Sequence, residues 1–343
     1  MNKGKMYIGG GNWIDWMKAL GMFFIVWGHL SPVHLKDVIY AFNVPCFFVI
    51  SGFLFKDTDW STFWKKNIKG LLVPYALLCA TVIAFFAVVK LYFGGMEGSY
   101  LPLSILACLI GDQNGIGCGV GCQALWFVYT LFLSKIVANA VKNNWLWQCV
   151  IIVSCMLIAY CLKRFNLQLF SSYVDFVLAY PFFLIGYYIA KNKHLDVVSI
   201  SEFIKERRTV WIYLLLAICM ATLFVVGNFN GMVRMYNADY GKDFVLLLFG
   251  GCIGTVSLAI ISMRLGSRDY KNIISIHSKG SMITLAWQVV FLFAIDMLAH
   301  KSIGNLVHDD LISLLLAVFI YLAFVPIIKF VSRHMPALVG YRR

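Results

Sequence analysis

Charged residues are scarce in this sequence. Asp, Glu, Lys and Arg make up only 13% of its 343 residues, whereas a soluble domain carries roughly 25%. Hydrophobic residues make up 61% of the chain, and its mean hydropathy is +0.80. The polar surface of a compact globule could not cover so much apolar surface. The composition therefore excludes an ordinary soluble enzyme, a secreted disulfide scaffold and a disordered protein.

The chain also lacks linkers, low-complexity tracts and internal repeats, so we expect a single transmembrane domain over residues 1–343. Apolar runs of about 20 residues, the length that crosses a bilayer, recur from one end to the other. The first run contains Asp15 and Lys18 and lacks an A-x-A site, so no cleavable signal peptide is expected. The pattern predicts an all-α integral membrane protein with about ten transmembrane helices, at 13–31, 37–55, 70–93, 122–141, 145–162, 172–190, 208–227, 242–262, 275–298 and 309–332.

Basic residues are distributed unevenly between the two ends of these spans. With a cytoplasmic N-terminus, the cytoplasmic loops, termini and helix ends hold 21 of the 29 lysines and arginines, and the other side holds 7, with Lys18 inside the first span. By the positive-inside rule, this bias predicts that both termini are cytoplasmic. The net charge of +13 then reflects membrane orientation, and no nucleic-acid partner is expected.

The ten cysteines include no CxxC pair and fit no metal-site spacing, so no metal is expected. Cys118 and Cys122 share a predicted outer loop and could form a disulfide. This loop belongs to a Gly-rich outer segment, 94–121, whose apolar middle, Leu101 to Ile110, is too short to span the bilayer. We predict a re-entrant or interfacial piece there. The outer segment 228–241 is polar and aromatic, which suits the rim of a sugar site.

The first span carries three ionisable residues, which are costly in hydrocarbon and seldom idle. Lys18 and His29 are eleven residues apart. They therefore lie within about 20° of one helical stripe and about 16 Å apart along the axis. Asp15, three residues before Lys18, is within ion-pair reach of it. We predict an ion-paired amine near the cytoplasmic face and a titratable imidazole near the outer face. In the alternative interpretation, Asp15 and Lys18 only neutralise each other and His29 caps the helix.

The second span places Asn43 at a depth similar to that of His29. We expect Asn43 to hydrogen-bond to the imidazole and fix its tautomer. Towards the cytoplasmic end, Ser51 and Gly52 are small residues that allow close helix packing. Packing is the favoured interpretation of Ser51, and contact with a ligand is the other.

Several segments, in the right order, together resemble the motifs of the membrane acyltransferase-3 superfamily, in particular its glycan O-acetylating members. Lys18-x10-His29 is similar to the family's basic-x10-His signature. The other matching segments are Phe47-Phe48-Val-Ile-Ser51-Gly52-Phe53, Lys65-Lys66-Asn-Ile-Lys69 ahead of Pro74-Tyr75, Leu125-Trp126-Phe127, and Pro181-Phe-Phe-Leu-Ile-Gly186-Tyr187.

This resemblance implies transfer of an acyl group, usually acetyl from cytoplasmic acetyl-CoA, to a hydroxyl of a surface or lipid-linked glycan in a bacterial cytoplasmic (inner) membrane. Lys66 and Lys69 are then candidates for the phosphates of the donor. Asp15, Ser51 and Trp126 are further candidates for donor contact. His29 would act as general base or as a covalent acyl relay. Lys18 is a further catalytic candidate, needed for use of the donor.

Two positions depart from the family's pattern. Asn43 stands where members often have His, and Gln288 stands where a late motif often ends in His. Because neutral amides cannot carry protons at ordinary pH, the role of base falls on His29 more exclusively, with Asn43 as an oxyanion or tautomer partner. A different acyl donor or a loss of activity is the other outcome.

The remaining polar candidates are ambiguous. Asp175, Asp296 and Gln288 are candidates for the glycan acceptor, although solvated helix ends explain the two carboxylates equally well. His277, beside Lys279, is expected to be solvated. A transporter or flippase for a lipid-linked glycan is the alternative function, opposed by the absence of an inverted repeat.

Overall fold

The chain is almost entirely helical. The computed structural model describes residues 13–30, 32, 34–95, 97–112, 122–142, 144–167, 171–192, 194–206, 210–266, 271–302 and 309–340. Within these ranges no strand forms, and the only extended pairing is an isolated bridge between Arg234 and Asp239. The prediction of an all-α membrane protein is confirmed.

Fourteen α-helices follow one another in the described residues. The first seven are α1 (Trp13–His29), α2 (Lys36–Phe53), α3 (Trp60–Asn67), α4 (Val73–Tyr92), α5 (Tyr100–Ile110), α6 (Trp126–Val141) and α7 (Trp145–Phe165). The second seven are α8 (Ser171–Lys191), α9 (Val197–Glu206), α10 (Val210–Asn230), α11 (Phe244–Leu265), α12 (Lys271–Lys279), α13 (Ser281–Ser302) and α14 (Asp310–His334). A π-helical turn (Ile68–Leu72) joins α3 to α4.

Each of the ten predicted runs overlaps at least one of these helices, and the run 275–298 overlaps two, α12 and α13. Among the described residues, eight helical segments are long and apolar enough to cross a membrane, with α3 and α4 counting as one rod of 33 residues. A ninth span would be α12 with α13, which meet at an angle of 84°. α1 is shorter, with 17 described residues. The segment predicted to be too short to span forms α5, of 11 residues.

The bundle has two ends. We name the one that holds the start of α1 and the ends of α2 and α8 the basic end, and the one that holds the end of α1 and the start of α14 the opposite end. At the basic end the rings of Trp13 and Phe53 lie 5.9 Å apart, which brings the start of α1 to the end of α2. Asp57 pairs there with Lys191, at the end of α8. At the opposite end, His34 and Asp310 join the turn after α1 to the start of α14. α1 thus runs from the basic end to the opposite end, and α2, α8 and α14 run towards the basic end, as in a multi-pass bundle.

The centre of the bundle is the crossing of α2 with α8. Two thirds of the residues in each of these spans are buried. A Cβ atom added at Gly52 would lie 1.9 Å from the carbonyl oxygen of Phe183, and one added at Gly186 would lie 1.9 Å from the carbonyl oxygen of Val49. The two backbones are therefore in direct contact. Small residues permit this approach in membranes, where helix association depends on van der Waals packing.

α1 and α11 also pack closely on α2, on other faces of it, and again through glycines. A Cβ at Gly21 would meet the ring of Phe47 at 2.9 Å, and one at Gly254 would meet Cβ of Phe42 at 2.2 Å. α1 also contacts α12, α13 and α14. It is therefore an interior helix, although it is the first of the described helices.

One predicted span differs in the structure, and a second segment has a local feature for which the sequence made no prediction. The predicted span 275–298 is broken at Gly280, where a Cβ would collide with the side chain of Ile328 at 2.4 Å. Close packing against α14 therefore requires glycine at the bend. The basic stretch before Pro74 is helical and passes through the π turn. Proline lacks an N–H and crowds the carbonyl four residues earlier. The wider π turn ahead of Pro74 relieves this crowding within a continuous helix.

The α2–α8 contact leads to a stability prediction. We expect Gly186→Ala to lower the midpoint of thermal unfolding in detergent by roughly 2 °C or more, since overpacking costs about 1–3 kcal/mol and here the obstacle is backbone. Gly250→Ala on α11 is the matched control, because its nearest neighbour would be Cγ1 of Val226 at 3.4 Å, an ordinary contact. If Gly186→Ala and Gly250→Ala unfold at the same midpoint, the α2–α8 contact is not the central contact of the bundle.

Candidate functional site

The polar stripe of α1 faces the protein interior. Between Lys18 and His29, one and two turns along the same face, lie Met22 and Ile25. Both are buried, at 3% and 5% exposure, so this face is covered by neighbouring helices and not by lipid. Lys18 is half-buried and His29 is exposed. The stripe therefore runs through the interior, and its imidazole is accessible at the opposite end of the bundle.

One hydrogen bond determines the tautomer of His29. Nδ1 lies 2.7 Å from the carbonyl oxygen of Ile25, one turn earlier on α1. Because a carbonyl can only accept, Nδ1 carries the proton and Nε2 of the neutral ring is an acceptor. Lys36 interacts with the ring electrostatically, and the ring centroid of Tyr40 lies 6.3 Å away.

The expected bond between Asn43 and His29 does not form. Asn43 is buried on α2, and its amide nitrogen lies 3.4 Å from the position of a Cβ at Gly28, so it is next to the imidazole-bearing turn. Its Oδ1 accepts from the N–H of Val44 at 2.7 Å. The prediction that Asn43 fixes the tautomer was wrong, because the carbonyl of Ile25 lies closer on the same helix.

Asp15 and Lys18 also behave differently from the prediction. Oδ1 of Asp15 accepts a hydrogen bond from the hydroxyl of Ser278, at 2.5 Å, and so ties the start of α1 to α12. Asp15 acts on Lys18 electrostatically, but the two form no ion pair within 4 Å. No hydrogen bond or ion pair links Lys18 to another described residue. Its amine is therefore available to a ligand.

Lys66 and Lys69 are exposed at the basic end, on α3 and on the π turn. Asp59 caps α3 by accepting from the N–H of Thr62. Hydrogen bonds from the side chain and backbone of Thr62 lower the pKa of the Asp59 carboxyl. The π turn packs on Gly340, whose Cβ would lie 2.9 Å from the carbonyl oxygen of Gly70. Lys69 therefore projects from a packed turn, and Lys66 lies on the helix directly before it.

Ser51 and Trp126 occupy packed positions. Ser51 is half-buried beside the Gly52 contact. Trp126 is buried at the start of α6, with its ring 6.3 Å from that of Phe127. Both positions accord with helix packing, and contact with a donor stays a prediction.

α13 carries two polar side chains that have no partner. Thr284 and Gln288 are one turn apart and fully buried, and neither the hydroxyl nor either amide atom has a hydrogen-bond partner among the described residues. α13 packs against α1 and α4. Because an unpaired buried polar group costs free energy, these groups mark a place where a polar ligand would be favourable.

A second unpartnered group lies at the opposite end. Asp175, near the start of α8, is fully buried, and neither carboxylate oxygen meets hydrogen-bond geometry with a described residue. Asp112 and the N–H of Ala238 interact with it electrostatically. The sequence indicated Asp175 as a candidate but did not indicate Asp112. Asp112 is the last described residue before 113–121, which lie outside the described residues. The side chain of Asp296 also lies outside the described residues.

His277 was missed as an interior residue. It is fully buried, its ring stacks on that of Tyr321 at 3.7 Å, and neither nitrogen has a hydrogen-bond partner in the described part of the chain. The expectation that it is solvated was wrong, because the bend after Lys279 directs α12 against α1 and α14. No signal in the local sequence distinguishes this burial.

The fold and these interior polar groups define a multi-pass membrane protein with a polar site among its helices. The family described as acyltransferase domain (acyltransferase-3) matches residues 12–333, and the chain belongs to it. It is a membrane acyltransferase of this family. The nodulation protein NolL of Sinorhizobium fredii is 21% identical over 270 residues, covering 73% of this chain and 67% of that protein. No solved structure matches the chain.

The burial of Asp175 leads to a prediction that separates function from stability. Asp175→Asn keeps the shape and removes the charge, so we expect the thermal midpoint to stay equal or rise, whereas Asp175→Ala lowers it by leaving a cavity. If Asp175 contacts the acceptor, acyl transfer by the Asn variant falls despite its stability. Equal destabilisation by Asn and Ala would show instead that the carboxylate is a structural group.

Proposed function

We propose that this chain moves an acyl group, acetyl in the first instance, from acyl-CoA at its basic end to a hydroxyl of a surface or lipid-linked glycan at its opposite end. The observation that carries the proposal is the state of His29. Its Nδ1 is held by the carbonyl of Ile25, and its Nε2 is an acceptor on an exposed ring. Such a group can take a proton from an attacking hydroxyl.

The donor side of the proposal rests on the lysines. The distribution of basic residues predicts that the basic end faces the cytoplasm, where acyl-CoA is found. Lys66 and Lys69 are exposed there and would bind the phosphates of the donor as point charges. Lys18, without a partner on the interior face of α1, would meet the donor deeper in the bundle. Asp15, Ser51 and Trp126 remain candidates for contact along this path.

The reaction then needs one proton relay. Acyl-CoA supplies a thioester carbonyl. Nε2 of His29 takes the proton of the glycan hydroxyl as its oxygen bonds to this carbonyl, the carbon–sulfur bond breaks, and the imidazolium returns the proton to the departing thiolate. Asn43, which lies next to this turn but does not bond to the ring, is a candidate donor to the oxyanion. Nε2 is also free to attack first and form an acyl-His29 intermediate.

The acceptor side rests on buried polar groups. Asp175, Gln288 and Asp296 would hydrogen-bond to sugar hydroxyls. The first two have unpartnered side chains in the described structure, which a polyhydroxylated ligand would satisfy. A bacterial cytoplasmic membrane and a glycan acceptor both follow from the family resemblance, and mass spectrometry of envelope glycans with and without the chain would identify the acyl group.

His29 gives the principal prediction. In His29→Asn the amide nitrogen can replace Nδ1 towards Ile25, and in His29→Gln the amide can reach the position of Nε2, but neither can accept a proton. We expect both to keep the wild-type thermal midpoint and to lose transfer of labelled acetyl from acetyl-CoA to glycan by roughly 10²–10⁴-fold. The assay uses the full chain in proteoliposomes.

The matched control is His34→Ala, because His34 lies exposed at the same end and, within the part of the chain that the structure describes, pairs with Asp310 alone. Its transfer rate is expected to stay near that of the wild type. Full activity in both His29 variants would remove this mechanism. Movement of lipid-linked glycan across the membrane without acyl transfer would favour the transporter alternative instead. An increase of one acetyl mass on incubation with acetyl-CoA alone, absent in His29→Gln, would identify the covalent relay.

The lysines give a prediction for the donor. The double variant Lys66→Ala with Lys69→Ala should raise the KM for acetyl-CoA roughly two- to thirtyfold, since each exposed charge contributes about 0.2–1 kcal/mol. It should change kcat little, because the contact is the same in the ground and transition states. Higher salt should reduce the difference. Lys56→Ala with Lys329→Ala, exposed lysines at the same end, is the control. An unchanged KM would exclude Lys66 and Lys69 from the donor site.

A further inference from the structure

Three cysteines that are distant in the sequence meet in the interior. Cys79 lies on α4, Cys108 on α5, and Cys122 directly before the short 3₁₀ turn that leads into α6. Their Sγ atoms all lie within 4.8 Å of one another, and their exposed fractions are 3%, 8% and 1%. Cys118, with which Cys122 could form a disulfide, lies outside the described residues.

This convergence involves thiols from three separate segments. A single buried cysteine is ordinary, because the thiol packs as a small apolar group. Three that are brought together by different helices form a donor set, since thiolates are the preferred ligands of thiophilic metal ions. Metal–sulfur bonds of about 2.3 Å separate bound sulfurs by about 3.8 Å. A contraction of at most about one ångström would therefore complete such a site.

Two tyrosines border the thiols in a way that suits a metal centre. The hydroxyl of Tyr75 donates to the carbonyl oxygen of Cys108 at 2.7 Å and so fixes the backbone of one ligand. Tyr100 is 8% exposed, its hydroxyl has no hydrogen-bond partner among the described residues, and it interacts electrostatically with Cys122 and Cys108. A hydroxyl there could donate to a bound thiolate, as outer groups of metal sites commonly do.

We propose that Cys79, Cys108 and Cys122 bind one thiophilic metal ion, monovalent copper or divalent zinc. Each thiol that coordinates the ion releases its proton, so the metal–sulfur bonds replace S–H bonds and no electron is transferred. The ion would tie α5, which is too short to span the membrane, to α4 and to the entrance of α6. It would thus be a structural site, separate from the polar stripe of α1.

The experiment measures metal binding by the purified full chain in detergent, reduced under anaerobic conditions. Separate samples receive Cu⁺ or Zn²⁺, a chelator removes loosely held ion, and mass spectrometry of the metal gives the ratio of ion to protein. We expect about one ion per wild-type chain and at least about tenfold less in Cys79→Ala, Cys108→Ala and Cys122→Ala. Cys155→Ala is the control, because Cys155 is buried on α7 outside this cluster.

A second measurement needs only the wild type, in case a variant fails to fold. In the folded protein the bound ion should slow alkylation of the three cysteines relative to the metal-free protein, without changing alkylation of Cys155, and loading should release protons into a weakly buffered solution. Two results would overturn the proposal: no more retained ion in the wild type than in the cluster variants, or a disulfide between two of the three cysteines in protein purified without reductant.

Discussion

The backbone contact between α2 and α8 is the constraint on which the rest of the bundle depends. A bilayer offers no hydrophobic force to drive helices together, so their association depends on how closely their atoms can approach. At Gly52 and Gly186 the approach is limited only by backbone atoms, and each glycine faces a carbonyl of the other helix. Two segments that resemble family motifs, Phe47–Phe53 and Pro181–Tyr187, are therefore the two halves of one contact.

Further interactions of the site surround this contact. Beyond it, at the basic end, the hydroxyl of Tyr187 donates to the carboxylate of Asp57, which also pairs with Lys191. On other faces of α2, α1 and α11 pack through their own glycines, and this brings the stripe of Lys18 and His29 into the interior. The polar groups are thus held by helices that approach one another closely because the residues at their contacts are glycines.

Much of the fold could be predicted from the sequence because apolar length and charge bias are local properties. The helices, the short α5 and the shared face of Lys18 and His29 all follow from periodicity.

The partners with which the polar side chains form hydrogen bonds do not follow from periodicity. Asp15 bonds to Ser278, 263 residues away, and His277 is buried because of a bend at Gly280, which no local pattern indicates. The tautomer of His29 depends on a carbonyl of its own helix, whereas the sequence argument looked to Asn43 on a neighbour. The cysteine cluster was not predictable for the same reason, since its members are separated by 29 and 14 residues.

The contacts of α1 with α12, α13 and α14 have a consequence for the biogenesis of the protein. α1 is the first described helix to leave the ribosome, yet its interior face is completed by α12, α13 and α14, where the hydroxyl of Tyr321 donates to the carbonyl of Ala19, next to Lys18. Until those last helices are inserted, the amine of Lys18 lacks the covering that they provide. An ionisable group in that state is costly in hydrocarbon, so we expect α1 to need shelter from lipid until α12, α13 and α14 have been synthesised.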